Sequence, residues 1–195
     1  MKQYFAFQWH ITDDCDQRCK HCYIFSEDNC KKLDSMTWEQ MKDTFYNCLD
    51  FCRVYDRLPY FYITGGDPIL HPDFWRLLEL MKEKEIPFTI LGNPFHLSDQ
   101  VCRRLKDYGC QKYQLSLDGM RETHDWFRKP GSFDITLEKI RLHPAGGYPE
   151  RDHDHGIRNQ HRSGAGYHRR GGGGRGRCVC LCPLLSHQRR EGCGD

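Results

Sequence analysis

The sequence predicts an α/β fold in which short apolar strands alternate with amphipathic helices over residues 1–141. Runs rich in β-branched and aromatic residues are each followed by a segment whose apolar residues recur at three- and four-residue steps. Gly, Asn, Asp or Pro stands between most of these segments, as is typical of turns. Strands and helices in such alternation form a parallel sheet through right-handed crossovers.

The first strand–helix unit contains a cysteine-rich loop. Its strand is predicted at 4–11, the loop follows, and Ser35 is the predicted N-cap of the helix. The helix is indicated by residues at helical spacing, namely Met41, Phe45, Cys48, Leu49 and Cys52. Because Cys48 and Cys52 share this apolar face, we expect them to be core residues rather than metal ligands.

Three further units follow along the chain. Their strands are predicted at 60–63, 88–91 and 112–117. Ser98 is expected to cap the third helix and Gly109 to end it. A last helix is predicted at about 133–141.

Glycine and polar residues follow the strands at the points where the strands end. In parallel α/β folds, ligands bind at the carboxyl ends of the strands. Each of these residues alone is explained equally well as an ordinary turn residue. Their combination with the cysteine loop favours a binding site built from Gly65, Gly66, Asp67, Pro68, Asn93, Ser116 and Asp118.

Three cysteines are grouped in the loop after the first strand. Cys15, Cys19 and Cys22 form the run C-D-Q-R-C-K-H-C. Four ligands would complete a zinc site or a four-iron cluster, whereas three hold a four-iron cluster and leave one iron free. A partial zinc site with His21 as the fourth ligand, or simply buried thiols, are the alternatives.

Bulk properties exclude several classes of protein. The chain has 195 residues, 12 cysteines and a net charge of +2, so it is long enough for one domain with a core and its charge favours no particular partner. The N-terminus has no long apolar run and no cleavage site, and no stretch approaches the length of a membrane span. We therefore expect a cytoplasmic protein with reduced thiols and no membrane contact.

Together these motifs resemble the radical S-adenosylmethionine (radical SAM) enzymes over residues 3–141. The similarity lies in C-D-Q-R-C-K-H-C-Y, in Y-I-T-G-G-D-P-I-L-H-P-D-F, and in L-S-L-D-G followed by R-K-P-G-S-F. It is closest to the SPASM-type branch of peptide and protein modifiers. The resemblance implies a partial (β/α) barrel, of which about four βα units are present here.

The resemblance also implies the cofactors and their ligands. Cys15, Cys19 and Cys22 would hold a [4Fe–4S] cluster, and the free iron would chelate S-adenosylmethionine. The implied reaction is hydrogen abstraction from a peptide, protein or small molecule by a 5′-deoxyadenosyl radical. It needs an electron donor such as flavodoxin or ferredoxin. His21 would pack near the adenine, although an ordinary loop histidine is an equal alternative.

The remaining site residues carried over from the family line the cofactor. Asp67 replaces the family's usual Glu in the Gly-Gly-Glu-Pro loop, near the methionine amino group. Arg128 would pair with the methionine carboxylate, and Ser116 and Asp118 would bind the ribose or the methionine part. The full implied set is Gly65, Gly66, Asp67, Pro68, Asn93, Ser116, Asp118 and Arg128.

Residues 142–195 are a different kind of sequence. They hold 12 of the 18 glycines, six of the 11 histidines and nine arginines, but no Lys, Phe or Trp. An Arg/Gly-rich nucleic-acid tail, a Cys/His metal segment and an out-of-frame tail are the three interpretations. A one-base shift turns the Tyr, His and Asp codons of 148–155 into Ile, Thr or Met codons, which restores a β-branched strand.

We therefore favour a frameshift that leaves 142–195 disordered. The fifth and sixth strands of the barrel would then be missing, strand four would have an unpaired edge, and the truncated chain could be inactive. The alternative function is a non-enzymatic zinc- or nucleic-acid-binding protein that uses the cysteine loop and the basic tail. Nucleic acid is the less favoured partner.

Overall fold

The computed structural model describes residues 2–25 and 34–142 together with the strand 178–183. Five strands form one sheet in the order β1-β2-β3-β4-β5. They are β1 (Tyr4–Thr12), β2 (Leu58–Gly65), β3 (Phe88–Leu91), β4 (Cys110–Leu117) and β5 (Cys178–Pro183). The first four pair in parallel, so the predicted α/β fold with about four strand–helix units is confirmed.

The helices are α1 (Trp38–Val54), α2 (Phe74–Glu83), α3 (Asp99–Asp107), α4 (Arg121–Phe127) and α5 (Ser132–Leu142). A short 3-10 helix, Pro68–Leu70, follows β2. Ser98 accepts a hydrogen bond from the backbone N–H of Val101, which confirms it as the cap of α3. Within the described ranges, no helix has the length and apolarity that crossing a bilayer requires.

The predicted start of α1 is wrong by two residues. Thr37, not Ser35, is the N-cap, and it forms a reciprocal capping box with Gln40. Ser35 instead bridges to Thr12, and the two hydroxyl oxygens lie 2.6 Å apart. This bridge ties the chain that enters α1 to the end of β1.

The short helix α4 was not predicted. Its sequence, Arg-Glu-Thr-His-Asp-Trp-Phe, has no apolar residues at helical spacing. Asp125 lies within it and accepts hydrogen bonds from the backbone N–H groups of Gly131 and Phe133. These bonds fix the turn between α4 and α5.

The hydrophobic core lies between the sheet and the helices α1, α2 and α3. Alternate residues of each strand point into it, as the period of two requires. Phe45 of α1 stacks on Phe61 of β2, with ring centroids 5.7 Å apart. Cys52 is buried, and the half-buried Cys48 packs against the core, in line with the prediction that both are core residues; Cys102 of α3 is buried as well. Fully buried members of the core include Ile11, Met41, Phe45, Phe61, Ile63, Phe74, Leu77, Leu78, Met81, Phe88, Ile90 and Leu105.

The opposite face of the sheet is more polar and partly open. Tyr60 and Tyr62 alternate with the core residues of β2 and therefore point to this face. Their rings pack against each other at 5.2 Å, and the Tyr60 hydroxyl lies 2.7 Å from the Thr89 hydroxyl. Tyr62 remains 37% exposed.

The predicted open edge of β4 is wrong. β5 pairs with β4 in antiparallel orientation, with Ser116 opposite Val179. An unpaired strand edge is a template for a further strand, and Cys-Val-Cys-Leu-Cys-Pro is a run of the tail without Gly or charged residues. The expectation that 142–195 contributes no folded element is thus wrong for 178–183. Residues 143–177 and 184–195 lie outside the described residues, and their disorder stays a prediction.

Two neighbouring residues of α1 test this account of the core. Phe45 is fully buried, whereas Tyr46 is 44% exposed. We expect Phe45→Ala to lower the free energy of unfolding by about 3–5 kcal/mol, because it leaves a cavity beside Phe61. The matched control Tyr46→Ala should cost less than about 1 kcal/mol. Urea unfolding followed by circular dichroism measures both, and equal losses would contradict the assignment of the core face.

Candidate active site

The cysteine loop is held by backbone contacts to the turn after β2. The N–H of Gly66 donates to the carbonyl of Thr12, and the N–H of Asp67 donates to that of Asp14, both at 2.7 Å. A Cβ on Gly66 would lie 2.2 Å from the Asp14 carbonyl oxygen. Gly65 has a φ of +149°, and a Cβ there would meet the Thr12 carbonyl oxygen, also at 2.2 Å. Only glycine fits at both positions.

All three loop cysteines line one pocket at the carboxyl ends of the parallel strands. Cys15, Cys19 and Cys22 are free thiols, each partly exposed. The pocket wall also includes six of the predicted cofactor-binding residues, namely Gly65, Gly66, Asn93, Ser116, Asp118 and Arg128. The structure thus brings together residues that are more than 100 positions apart in the sequence.

Neighbouring polar groups reach the cysteine sulfurs. The Asn93 side-chain amide donates to Cys15 Sγ at 3.2 Å, and Arg128 Nη1 lies 3.8 Å from Cys19 Sγ. Burial nevertheless raises the pKa of Cys19 to about 11, although the Arg128 charge opposes this effect. Burial also raises the pKa of Cys15. Burial thus disfavours the thiolate forms of Cys15 and Cys19, and a bound metal would favour them. Three thiols facing one pocket fit a cluster with one free iron.

Arg128 is held by a carboxylate in the pocket wall. Its Nε and Nη2 both donate to Asp118, the second at 3.4 Å. Its Nη1 donates to the side-chain oxygen of Gln17 at 3.3 Å. The Asp118 backbone N–H in turn donates to Nδ1 of the buried His124 at 3.3 Å. The guanidinium is therefore fixed beside Cys19 at the rim of the cluster loop.

Two predicted cofactor-binding residues lie behind the pocket wall instead of in it. Asp67 is fully buried and Pro68 is buried, and neither side chain lines the pocket. Burial, followed by the charge of Asp16, raises the pKa of Asp67 to about 7. Its predicted contact with the methionine amino group can therefore involve only the backbone of this turn, and it stays a prediction.

Sequence reasoning missed Gln17 and His124. Gln17 is 1% exposed, its side-chain oxygen accepts from Arg128, and its backbone N–H points at Cys15 Sγ at 3.4 Å. The Cys19 thiol also contacts the Gln17 side-chain oxygen at 3.3 Å. A glutamine inside a polar loop carries no sequence pattern that distinguishes it from a solvated residue. His124 lay in the helix that was not predicted.

Comparison with known proteins identifies the family. The model of the Radical SAM superfamily matches residues 9–150. The chain belongs to the radical SAM superfamily. Members of this superfamily use a [4Fe–4S] cluster and S-adenosylmethionine for radical chemistry, as the cysteine motif predicted.

Several curated relatives are similar to this chain. The mycofactocin maturase MftC of Mycobacterium ulcerans is 27% identical over 145 residues, which cover 73% of this chain and 37% of MftC. The Fe-coproporphyrin III synthase of Methanosarcina barkeri is 29% identical over 133 residues, which cover 68% of this chain and 32% of the synthase. The chain thus spans about a third of the length of these relatives.

Solved structures of SuiB show a similar fold. SuiB of Streptococcus suis bound to S-adenosylmethionine superposes with a TM-score of 0.51 at 17% identity, over 72% of this chain and 31% of SuiB. SuiB bound to the precursor peptide SuiA gives the same TM-score and identity over 73% of this chain and 30% of SuiB. The α/β architecture predicted from the sequence is therefore shared with SuiB.

The tight contact at Gly66 generates a prediction. We expect Gly66→Ala to displace the cysteine loop, because the new Cβ would overlap the Asp14 carbonyl oxygen. The iron and sulfide content after anaerobic reconstitution should fall, together with the absorbance of the cluster. Gly131→Ala is the control, since nothing lies within 4 Å of its Cβ position and only its φ of +80° adds strain. Full cluster content in Gly66→Ala would contradict the proposed packing.

Proposed function

We propose that this chain is the cofactor-binding core of an enzyme that cleaves S-adenosylmethionine reductively and abstracts a hydrogen atom from a peptide or protein. The single observation that carries the proposal is the shared pocket, where three free thiols face Gly65, Gly66, Ser116 and Asp118. When bound, the cluster and S-adenosylmethionine supply the electron transfer and carbon–sulfur cleavage that yield a 5′-deoxyadenosyl radical.

The residues of the pocket prepare the site for these cofactors. Cys15, Cys19 and Cys22 would ligate the cluster as thiolates. Gly65 and Gly66 allow the cysteine loop to pack directly on the turn after β2, whose backbone forms part of the pocket wall. Arg128, held by Asp118, adds a fixed positive charge that suits a carboxylate of the cofactor.

A peptide or protein substrate is supported by the relatives and by the sheet. MftC is a maturase, and SuiB binds a precursor peptide. The partly open face of the sheet carries Tyr60 and Tyr62, which offer aromatic surface and hydroxyl groups to a peptide chain. The similarity to a coproporphyrin synthase favours a porphyrin as the second candidate substrate, because aromatic rings can also stack on a flat macrocycle.

We place the enzyme in the cytoplasm, with flavodoxin or ferredoxin as the electron donor.

We also propose that the 195-residue form is a poor catalyst. The composition changes at Leu142. A frameshift at this point would replace the sequence that forms the fifth and sixth parallel strands of the barrel. In the described part, β4 is followed in the sheet by an antiparallel strand from the tail. A parallel strand–helix unit at this place would extend the pocket wall around the cofactor.

Cysteine variants test the cofactor assignment. We expect Cys15→Ala, Cys19→Ala and Cys22→Ala each to abolish the four-iron cluster after anaerobic reconstitution, because three ligands are the minimum for this site. Cys48→Ala and Cys102→Ala are the controls, since Cys102 lies in the core and Cys48 packs against it, and both variants should retain iron. The wild-type cluster should change its electron paramagnetic resonance spectrum when S-adenosylmethionine is added. Tight zinc binding without such a response would favour the non-enzymatic alternative.

The reading frame provides a separate test of activity. Restoring the frame by one base near codon 142 should give a longer chain that releases 5′-deoxyadenosine under dithionite, while the 195-residue form releases little or none. Deuterium transfer into 5′-deoxyadenosine from labelled peptides or from a labelled porphyrin then separates the two substrate classes. The truncation proposal is refuted by a shifted frame that stops within a few codons, or by full activity of the 195-residue form.

A further inference from the structure

A single side-chain amide connects the end of β3 with the first cysteine of the loop. Asn93 follows Leu91, the last residue of β3, after one glycine, and it is only 7% exposed. Its Nδ2 atom donates to Cys15 Sγ at 3.2 Å and to Asp16 Oδ1 at 2.9 Å. An amide nitrogen carries two hydrogens, so each hydrogen has its own acceptor. Both donors of the side chain are therefore directed at the cysteine loop.

The backbone of Asn93 is fixed from the side of the core. Its N–H donates to the buried Asp67 carboxyl group, and its carbonyl accepts from the Tyr113 hydroxyl at 3.1 Å. A Cβ on Gly92 would lie 2.3 Å from the Tyr113 hydroxyl and 2.8 Å from Oδ1 of Asp67, so glycine is needed for this approach. Two buried polar side chains that do not line the pocket thus hold the amide in place from behind.

Cys15 Sγ receives two N–H donors of different kinds. One is the backbone N–H of Gln17 at 3.4 Å, which persists whatever side chain stands at that position. The other is the Asn93 amide, which a substitution removes. Asp16, the second acceptor of this amide, orients it so that its other hydrogen points at the sulfur. The contribution of a side-chain hydrogen bond to Cys15 can therefore be measured on its own.

Hydrogen bonds to the ligand sulfurs are one of the factors that set the reduction potential of an iron–sulfur cluster. An N–H donor stabilises negative charge on a thiolate sulfur. Reduction adds an electron and so increases that negative charge. A donor consequently stabilises the reduced state more than the oxidised state, and the effect is stronger at a site shielded from water than in bulk solvent.

We infer that Asn93 is a positioning residue that raises the reduction potential of the cluster held by Cys15, Cys19 and Cys22, through its hydrogen bond to Cys15 Sγ. The inference rests on the proposed function, because it presupposes that cluster. It gives Asn93 a task different from the one predicted from the sequence, which was contact with S-adenosylmethionine. A higher potential makes the cluster easier to reduce by a given electron donor.

A redox titration of the complete 195-residue chain tests the inference. The cluster is reconstituted anaerobically, and the electron paramagnetic resonance signal of its reduced form is followed against the applied potential at pH 8, without S-adenosylmethionine. Asn93→Leu replaces the amide by an apolar side chain of similar shape. We expect the ratio of reduced to oxidised cluster at a fixed potential to fall about tenfold, which corresponds to about 59 mV for a one-electron couple. Asn93→Asp keeps the shape but replaces the donor by a negative charge, so it should lower the potential further.

Gln114→Leu is the matched control. Gln114 also lines the pocket and is half-buried, and within the described ranges its side chain makes no hydrogen bond to a cysteine sulfur. This variant should titrate like the wild type. Iron and sulfide content is measured for every variant, because a role in tuning the potential requires that the cluster be retained.

Three results would overturn the inference. The first is a retained cluster in Asn93→Leu that titrates at the wild-type potential or shifts no more than in Gln114→Leu. The second is loss of the cluster in both Asn93 variants, which would make Asn93 a residue needed for assembly instead. In these two cases the cluster assignment itself stands. The third is a wild-type chain that assembles no four-iron cluster, and this result alone removes the proposed function as well.

Discussion

The contact on which the rest of this site depends is the backbone-to-backbone approach of the cysteine loop and the Gly65–Gly66–Asp67 turn. Two 2.7 Å hydrogen bonds join them, and any side chain at Gly66 would overlap the Asp14 carbonyl oxygen. Hydrogen bonds of this kind fix both loops without using a side chain, so the three thiols and the pocket wall remain available for ligands. The parallel sheet makes the approach possible, because it brings the carboxyl ends of β1 and β2 to the same edge.

The charges around this contact are arranged on two sides of the cysteine loop. On the pocket side, Asp118 orients Arg128 next to Cys19. On the inner side, Asp16 and the buried Asp67 lie close enough that their repulsion contributes to the raised pKa of Asp67. Burial and a second carboxylate nearby both disfavour the charged form of a carboxyl group. The loop thus separates a carboxylate that positions an arginine from the buried Asp67, whose pKa is raised.

Much of the fold follows from local patterns in the sequence. The alternation of strand and helix, the strand at Phe88–Leu91 and the cap at Ser98 depend on spacing and on single residues, and they agree with the structure. The start of α1 does not, because Ser35 and Thr37 are both good caps, and the bridge from Ser35 to Thr12 decides between them. α4 has no apolar period, and the pairing of β5 with β4 is a contact between distant segments that no local pattern contains.

In the site, the sequence predicted which positions lie near the pocket, but not in which direction each side chain points. Motif spacing located the three cysteines and most of the pocket wall, because these residues stand at strand ends that the fold brings together. Asp67 stands at such an end as well, but its side chain turns away from the pocket towards Tyr113 and Asp16. Aspartate is one methylene shorter than the glutamate usual at this position, which keeps its carboxylate close to the backbone of the turn. A motif can therefore place a residue in the site, while packing decides whether its side chain faces the cofactor or forms the support behind it.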